Sequence, residues 1–203
     1  LGTDYTLSFQ AKTGDSPAED GWISYNDSAL TFINAETTTY WVRVDAESYR
    51  SQVVEMQITI SPAALTVDVT LDTEKSYDGK VWMENGSEAP VEGSYTVTTQ
   101  DVTTAGTDIT GVSVTARYTD ANVNPADGNP KGIQLVYTVS FASETARGNY
   151  QLTGAQINGT AITLGNTSAA GDNALTANAT GSGVLTPAGV AVTIHNQTFP
   201  YSN

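Results

Sequence analysis

Residues able to do chemistry are few in this chain, and they are scattered. A single histidine, His195, stands near the C-terminal end. It has no second histidine to complete a zinc site, and no Gly-x-Ser-x-Gly elbow presents a serine to it. Cysteine is absent, which removes disulfides, thiolate metal sites and a thiol nucleophile together. Carboxylates are plentiful, with 22 Asp and Glu among 203 residues, and pairs such as Glu19 and Asp20 are of the type that cleaves glycosides. Acids this numerous, spread over turns, fall near one another by chance, so the pair assigns no activity. No catalytic residue is expected, and the chain reads as a non-enzyme.

Two clusters suit binding better. Oxygen donors alternate through Asp120, Asn122, Asn124 and Asp127, the ligand type that hard cations take, so calcium is the one cofactor the chain suggests. It is not an EF-hand, because Pro125 stands where glycine is required and Lys131 where the bidentate glutamate belongs. Asn, Asp, Pro and Gly are equally the makings of a long hairpin loop. The aromatic residues Trp22, Tyr25, Tyr40 and Trp41 gather early in the chain, and Trp22, Tyr25 and Trp41 are the candidates for stacking on a sugar ring. In a two-layer fold only one face of a strand is core, so either Tyr40 or Trp41 leads an outer face, against a ligand or against the next module. A spacer is expected to bury Trp22 and Trp41, and a lectin to show one of them to solvent. A Lys–Asn amide crosslink would need a buried lysine facing an asparagine. Lys75, beside Glu74, is the best placed of the four lysines, but it has no identifiable asparagine and reads as a solvated lysine at a strand end.

The elements that must hold these residues are strands. Alternation recurs along the chain: Tyr5, Leu7, Phe9 and Ala11; Tyr40, Val42, Val44 and Ala46; Val54, Met56, Ile58 and Ile60; Leu65, Val67, Val69 and Leu71; Val112, Val114, Ala116 and Tyr118; and Ile133, Leu135, Tyr137, Val139 and Phe141. Turn formers separate them, including Asp78-Gly79, Asn85-Gly86, Asp127-Gly128 and Asn158-Gly159. Short strands punctuated in this way predict an all-β sandwich or small barrel. Only 15% of residues are charged, against roughly 25% in ordinary domains, while 39% are hydrophobic. The net charge of −14 argues against a phosphate-backbone binder and against attraction to an anionic membrane. No apolar run approaches the roughly 18 residues of a membrane span, and no leader or anchor motif is present, so the chain reads as a piece of something longer.

The chain also repeats itself weakly. Ser61-Pro62-Ala63 with Leu65-x-Val67 returns as Thr186-Pro187-Ala188 with Val190-x-Val192, the prolines lying 125 residues apart. Tyr40-x-Val42-x-Val44 leads to Tyr49 before the first proline, and Tyr137-x-Val139-x-Phe141 leads to Tyr150 before the second. The expected units are therefore 1–62, a β-rich module lacking its opening strand; 63–188, a complete module; and 189–203, the opening strand of a following repeat. Between Tyr150 and Pro187 lies a surplus stretch, 153–183, of Gly, Ala, Asn, Thr and Ser, which is either an inserted hairpin or a mobile loop.

Lys75-x-Tyr77-Asp78-Gly79, then Ala116-x-Tyr118-x-Asp120-x-Asn122-Val123, then Gly148-Asn149-Tyr150-x-Leu152 and the Thr-Pro-Ala joint resemble the YDG repeat domain of bacterial surface adhesins. The resemblance covers about 63–188. Residues 1–62 are similar to the closing part of a related mostly-β, glycine-rich repeat. The 120–131 stretch and the 153–183 surplus depart from the pattern. What the resemblance implies is a tandem array of immunoglobulin-like or related β-sandwich modules, extracellular at the bacterial surface. Such an array is non-enzymatic and serves as a stalk that presents a distal adhesive region. Its partners would be neighbouring repeats and, in the alternative reading, a host glycan or matrix protein bound through the early aromatics or the 120–127 loop. A module short of a strand leaves an open sheet edge, and the tail at 189–200 would supply one to another copy head to tail.

Overall fold

The computed structural model describes residues 5–26, 32–83, 87–97, 105–123 and 130–193. In chain order its strands are β1 (Tyr5–Ala11), β2 (Ile23–Ser24), β3 (Thr37–Ala46), β4 (Gln52–Thr59), β5 (Ala63–Val69), β6 (Glu74–Ser76) and β7 (Val91–Val97). A one-turn helix, α1 (Ala105–Asp108), precedes β8 (Ile109–Tyr118) and β9 (Lys131–Phe141). Helix α2 (Glu144–Gly148) leads to β10 (Tyr150–Ile157), β11 (Thr160–Ala169) and β12 (Ala174–Thr186). The six alternating runs all fall on strands, and six further strands among the described residues, β2, β6, β7, β10, β11 and β12, lie outside them. Ser143 caps α2, its hydroxyl accepting from the N–H of Ala146 at 3.0 Å.

These strands form two separate sheets that meet at Pro62. The first is antiparallel throughout, in the order β2-β1-β3-β4. The second runs β10-β5-β7-β8-β9-β12-β11, and β11 returns to pair with β10, so seven strands close into a barrel. β6 adds to the end of β12 in parallel, matching Val184 with Glu74. The all-β expectation holds, and its barrel alternative describes the sheet of β5 and β7–β12, whose wall is one continuous sheet instead of two stacked layers.

Closure explains where the large side chains go. Leu65, Val67 and Val69 of β5, Ile133, Leu135, Tyr137 and Val139 of β9, and Val114 and Tyr118 of β8 are all essentially inaccessible to solvent. Each aliphatic or aromatic side chain moved inside in this way contributes about 1.5–3 kcal/mol. A small barrel has no lumen, so bulky inward residues on one strand require small ones on the strand beside it. β12 supplies them, as Ala177 and Ala179. Gly183 is a second case, since a Cβ there would lie 2.4 Å from the Thr73 carbonyl oxygen and 2.6 Å from Ile133 Cδ1. The 153–183 stretch is thus strand and not loop: it holds the end of β10, all of β11 and most of β12, three neighbouring strands of the barrel wall, with β11 and β12 paired as a hairpin. The turn from β10 to β11, Asn158-Gly159, has φ of 51° and 76°, the double positive φ of a type I′ hairpin. The Asn158 side chain ties that turn to the end of β5, accepting from Leu71 N–H at 3.0 Å and donating to Leu71 O at 2.9 Å.

Two buried tyrosines anchor the interior. Tyr118 donates its hydroxyl between the carbonyls of Val184 at 2.9 Å and Thr73 at 3.1 Å. Tyr137 donates to Gln156 O at 2.8 Å. Burial is the first cause of the raised pKa of both phenols, and Tyr118 is pushed up to about 12. The described part of the tail, Gly189 to Thr193, forms no strand, and Val190 and Val192 are exposed. The rest of the tail, with His195, lies outside the described residues.

Candidate functional site

The early aromatics are placed by the register of the first sheet. Gln10 pairs with Trp41, and Ser8 with Arg43, so one face carries Ser8, Gln10, Trp41 and Arg43. The 12–22 loop folds over that face because Gln10 holds it. The side-chain oxygen of Gln10 accepts from Ala18 N–H at 2.9 Å, and its nitrogen donates to Asp20 O. Trp41 is only 9% exposed, with the Lys12 ammonium 4.6 Å from its ring centre and Lys12 also paired with Glu55. Its indole N–H finds no acceptor among the described residues. Trp22 is half-buried and carries the Arg43 guanidinium 4.5 Å above its ring. Its own N–H donates to Ala18 O at 3.1 Å. Each indole therefore carries one cation over one face, Arg43 of β3 on Trp22 and Lys12, just past β1, on Trp41. Arg43 in turn pairs with Asp45, whose carboxyl is held below the usual range first by the Ser51 hydroxyl and then by Arg43.

Tyr25 lies on the opposite face, 42% exposed, with its ring 5.7 Å from that of Phe9. Tyr40 shares that face with Phe9 and Val42, its ring edge-on to Phe32 at 6.2 Å. The sequence candidates thus divide: Trp41 under the 12–22 loop, Trp22 at the end of that loop, and Tyr25 on the other side of the sheet.

Of the proposed calcium donors, Asn124 and Asp127 lie outside the described residues. Asp120 is engaged already: its carboxylate accepts from the Lys131 ammonium and from Asn122 N–H at 2.8 Å. Those two bonds, with the lysine the larger influence, hold its carboxyl below the usual range. Among the described residues no group of three or more metal-ligating side chains converges.

The Lys-x-Tyr-Asp-Gly motif is a turn built around its lysine. Lys75 Nζ lies 2.9 Å from the Asp78 carboxylate and donates to Trp82 O at 2.7 Å. Asp78 also accepts from Lys80 N–H at 2.9 Å, and Gly79 has φ +77°. The Lys75 side chain is 13% exposed, which corrects the expectation of a solvated lysine at a strand end. The turn buries it because the motif brings a carboxylate and carbonyls round its head, and these satisfy the ammonium in place of water.

Two features were not singled out by sequence. The first is the role of Asn149, which follows α2. Its backbone carbonyl accepts from Ala63 N–H at 2.8 Å, where β5 begins beyond Pro62. Its side chain reaches into the other sheet's connecting loop, accepting from Ala35 N–H at 2.7 Å and donating to Asn34 Oδ1 at 3.3 Å. One residue thus holds both sides of the joint. The second is a groove of about 490 Å³ on the outer wall of the barrel, beside Trp82. Its only signal in the sequence is a tryptophan soon after a Tyr-Asp-Gly turn, with no alternation around it.

A chain with this geometry is an all-β protein with a closed seven-stranded sheet and a smaller antiparallel sheet. Compared with known proteins, it matches no family model, no curated protein and no solved structure.

Proposed function

We propose that the chain is a non-enzymatic stalk or spacer repeat of a bacterial cell-surface adhesin, extracellular, which keeps a distal adhesive region away from the surface. The observation that carries the reading is the joint. A spacer must transmit orientation from one unit to the next, so the connection should be short and braced. Here the link from β4 to β5 is three residues, Ile60 to Pro62, and proline restricts its own backbone. Asn149 then ties the far side of the joint to residues 34–35. The cations over Trp22 and Trp41 fit the same reading, because each ring already has one face engaged by a neighbouring side chain. The low content of surface charge with a single net sign suits a soluble array at high local density.

Small-angle scattering tests the reading. A single fixed separation between the units is expected for the chain, and a broadened one for Asn149→Ala. A wild-type curve that requires a freely jointed ensemble would overturn the spacer proposal. Protease shaving of intact source cells should release this segment, and its absence from the released peptides would refute the surface location.

A second reading, a glycan- or matrix-binding module, keeps one supporting observation in the first sheet, the exposed Tyr25 ring. Tyr25→Ala in a matrix-protein binding assay separates the two. Neighbouring repeats are the proposed partners of the array. Head-to-tail strand donation between copies is supported by the exposed Val190 and Val192 and by β4, whose outer edge pairs with no strand among the described residues and which exposes Val53 and Val54. Light scattering that finds a monomer at every concentration would exclude it.

A further inference from the structure

We infer that the outer wall of the barrel, where β8, β9 and β12 run side by side next to Trp82, is a binding site for a neutral oligosaccharide. The register fixes the layout. Thr115 of β8 pairs with Val136 of β9, and Val136 pairs with Asn178 of β12. One step along, Arg117 pairs with Gln134, and Gln134 with Thr180. Inward residues of the same strands are buried, so these six point out and form two rows of three at the strand spacing of roughly 4.8 Å. Trp82 extends the second row, because it forms a lone antiparallel bridge with Arg117.

The chemistry of that grid matches a sugar. Two amides and two hydroxyls face outward, each able to donate and to accept, as the vicinal hydroxyls of a pyranose require. Val136 is 40% exposed and offers an apolar spot for ring C–H groups. Trp82 is half-buried at the side of the groove, with the Arg117 guanidinium 5.7 Å from its ring. Arg117 is itself oriented by donating Nε to Gln134 Oε1 at 3.0 Å. Preorganised side chains of this kind lose less rotamer freedom on binding than free ones. The groove also contains Glu88, so its formal charges, one basic and one acidic, cancel.

That balance selects the ligand class. A polyanionic glycan or a nucleic acid would meet a single arginine, with Glu88 beside it, on a chain of net charge −14. A protein partner would seek a buried cluster of large apolar anchors, and this wall offers one tryptophan and one valine among polar groups. The volume of about 490 Å³ falls within the range of roughly 300–1,000 Å³ usual for small-ligand sites. The site is on the barrel, away from the early aromatics, and does not depend on the chain being a spacer.

The experiment is an array of neutral oligosaccharides probed with the whole chain, followed by an amide-shift titration with the best hit. Trp82→Ala, Asn178→Ala and Trp22→Ala are run in parallel, each checked for an unchanged circular-dichroism spectrum. The expected result is saturable binding with shifts confined to β8, β9, β12 and the Trp82 segment. Affinity should fall at least about tenfold, or 1.4 kcal/mol, in Trp82→Ala and Asn178→Ala and remain in Trp22→Ala. An array silent for neutral sugars, binding of acidic glycans alone, or a hit that survives both barrel substitutions would each overturn the proposal.

Discussion

Replacing Asn149 with alanine isolates the joint. The residue has φ −78°, which alanine adopts freely, and its backbone N–H still bonds to Ala146 O, so α2 keeps its end. The bond from Ala63 N–H to the Asn149 carbonyl also survives, because it is main-chain. What is lost is the 2.7 Å bond from Ala35 N–H and the 3.3 Å bond to Asn34 Oδ1. A net hydrogen bond is worth about 1 kcal/mol, and the longer bond between half-buried amides adds less. The joint should therefore open more easily by roughly 1–2 kcal/mol, a factor of about 5–30 in its opening equilibrium. Amide hydrogen exchange reads this directly. Ala35 should exchange faster by that factor, while Val139 in the barrel core keeps its rate. Asn149→Asp, which retains the oxygen acceptor, should keep most of the protection at Ala35. Unchanged exchange at Ala35 in Asn149→Ala would refute the argument. So would equal acceleration at Val139, which would mean that the side chain supports the barrel and not the joint.

Other substitutions probe the barrel and its surface. Gly183→Ala should lower stability by about 3 kcal/mol in urea titration, since backbone and Ile133 cannot both move away, whereas Gly189→Ala, with open space around it, should be neutral. The phenols of Tyr118 and Tyr137 ionise less readily in the folded chain than in the unfolded one, whose value is about 10. Stability is therefore complete below about pH 10 and falls above it, and phenolate absorbance should show these two tyrosines titrating only as the barrel unfolds. Asp45, Asp78 and Asp120 have the opposite sign: each carboxyl is depressed in the fold, so its contribution is present above about pH 3.9 and is lost as pH falls through the lower folded value. The acid limb of a urea-midpoint profile should flatten in the triple Asp→Asn variant, and an unaltered limb would count against these pairs.

Much of the strand pattern was legible because alternation is local. Ile133, Leu135, Tyr137, Val139 and Phe141 declare one buried face whatever lies across from them, and all five are buried. Asn158-Gly159 likewise declares its own turn, since few residues tolerate positive φ. The 153–183 stretch was ambiguous for a physical reason. β12 lies beside β9, with Ala177 paired to Tyr137 and Ala179 to Leu135, and a strand whose inward positions are this small has the composition of a loop. Lys75 was misjudged because a charged head looks solvated until the carbonyls that surround it are in place.

What the sequence determined by itself is therefore the all-β character, the inward face of β5, β8 and β9 and the turn at Asn158-Gly159, because these depend on residues close together in the chain. The tertiary structure alone decided the closure of the sheet, the row that joins Trp82 to Arg117, Gln134 and Thr180, and the reach of Asn149 to Asn34 and Ala35. Each of these unites segments far apart in the chain. Their register is set by what packs on the opposite side of the sheet, and no local period records it.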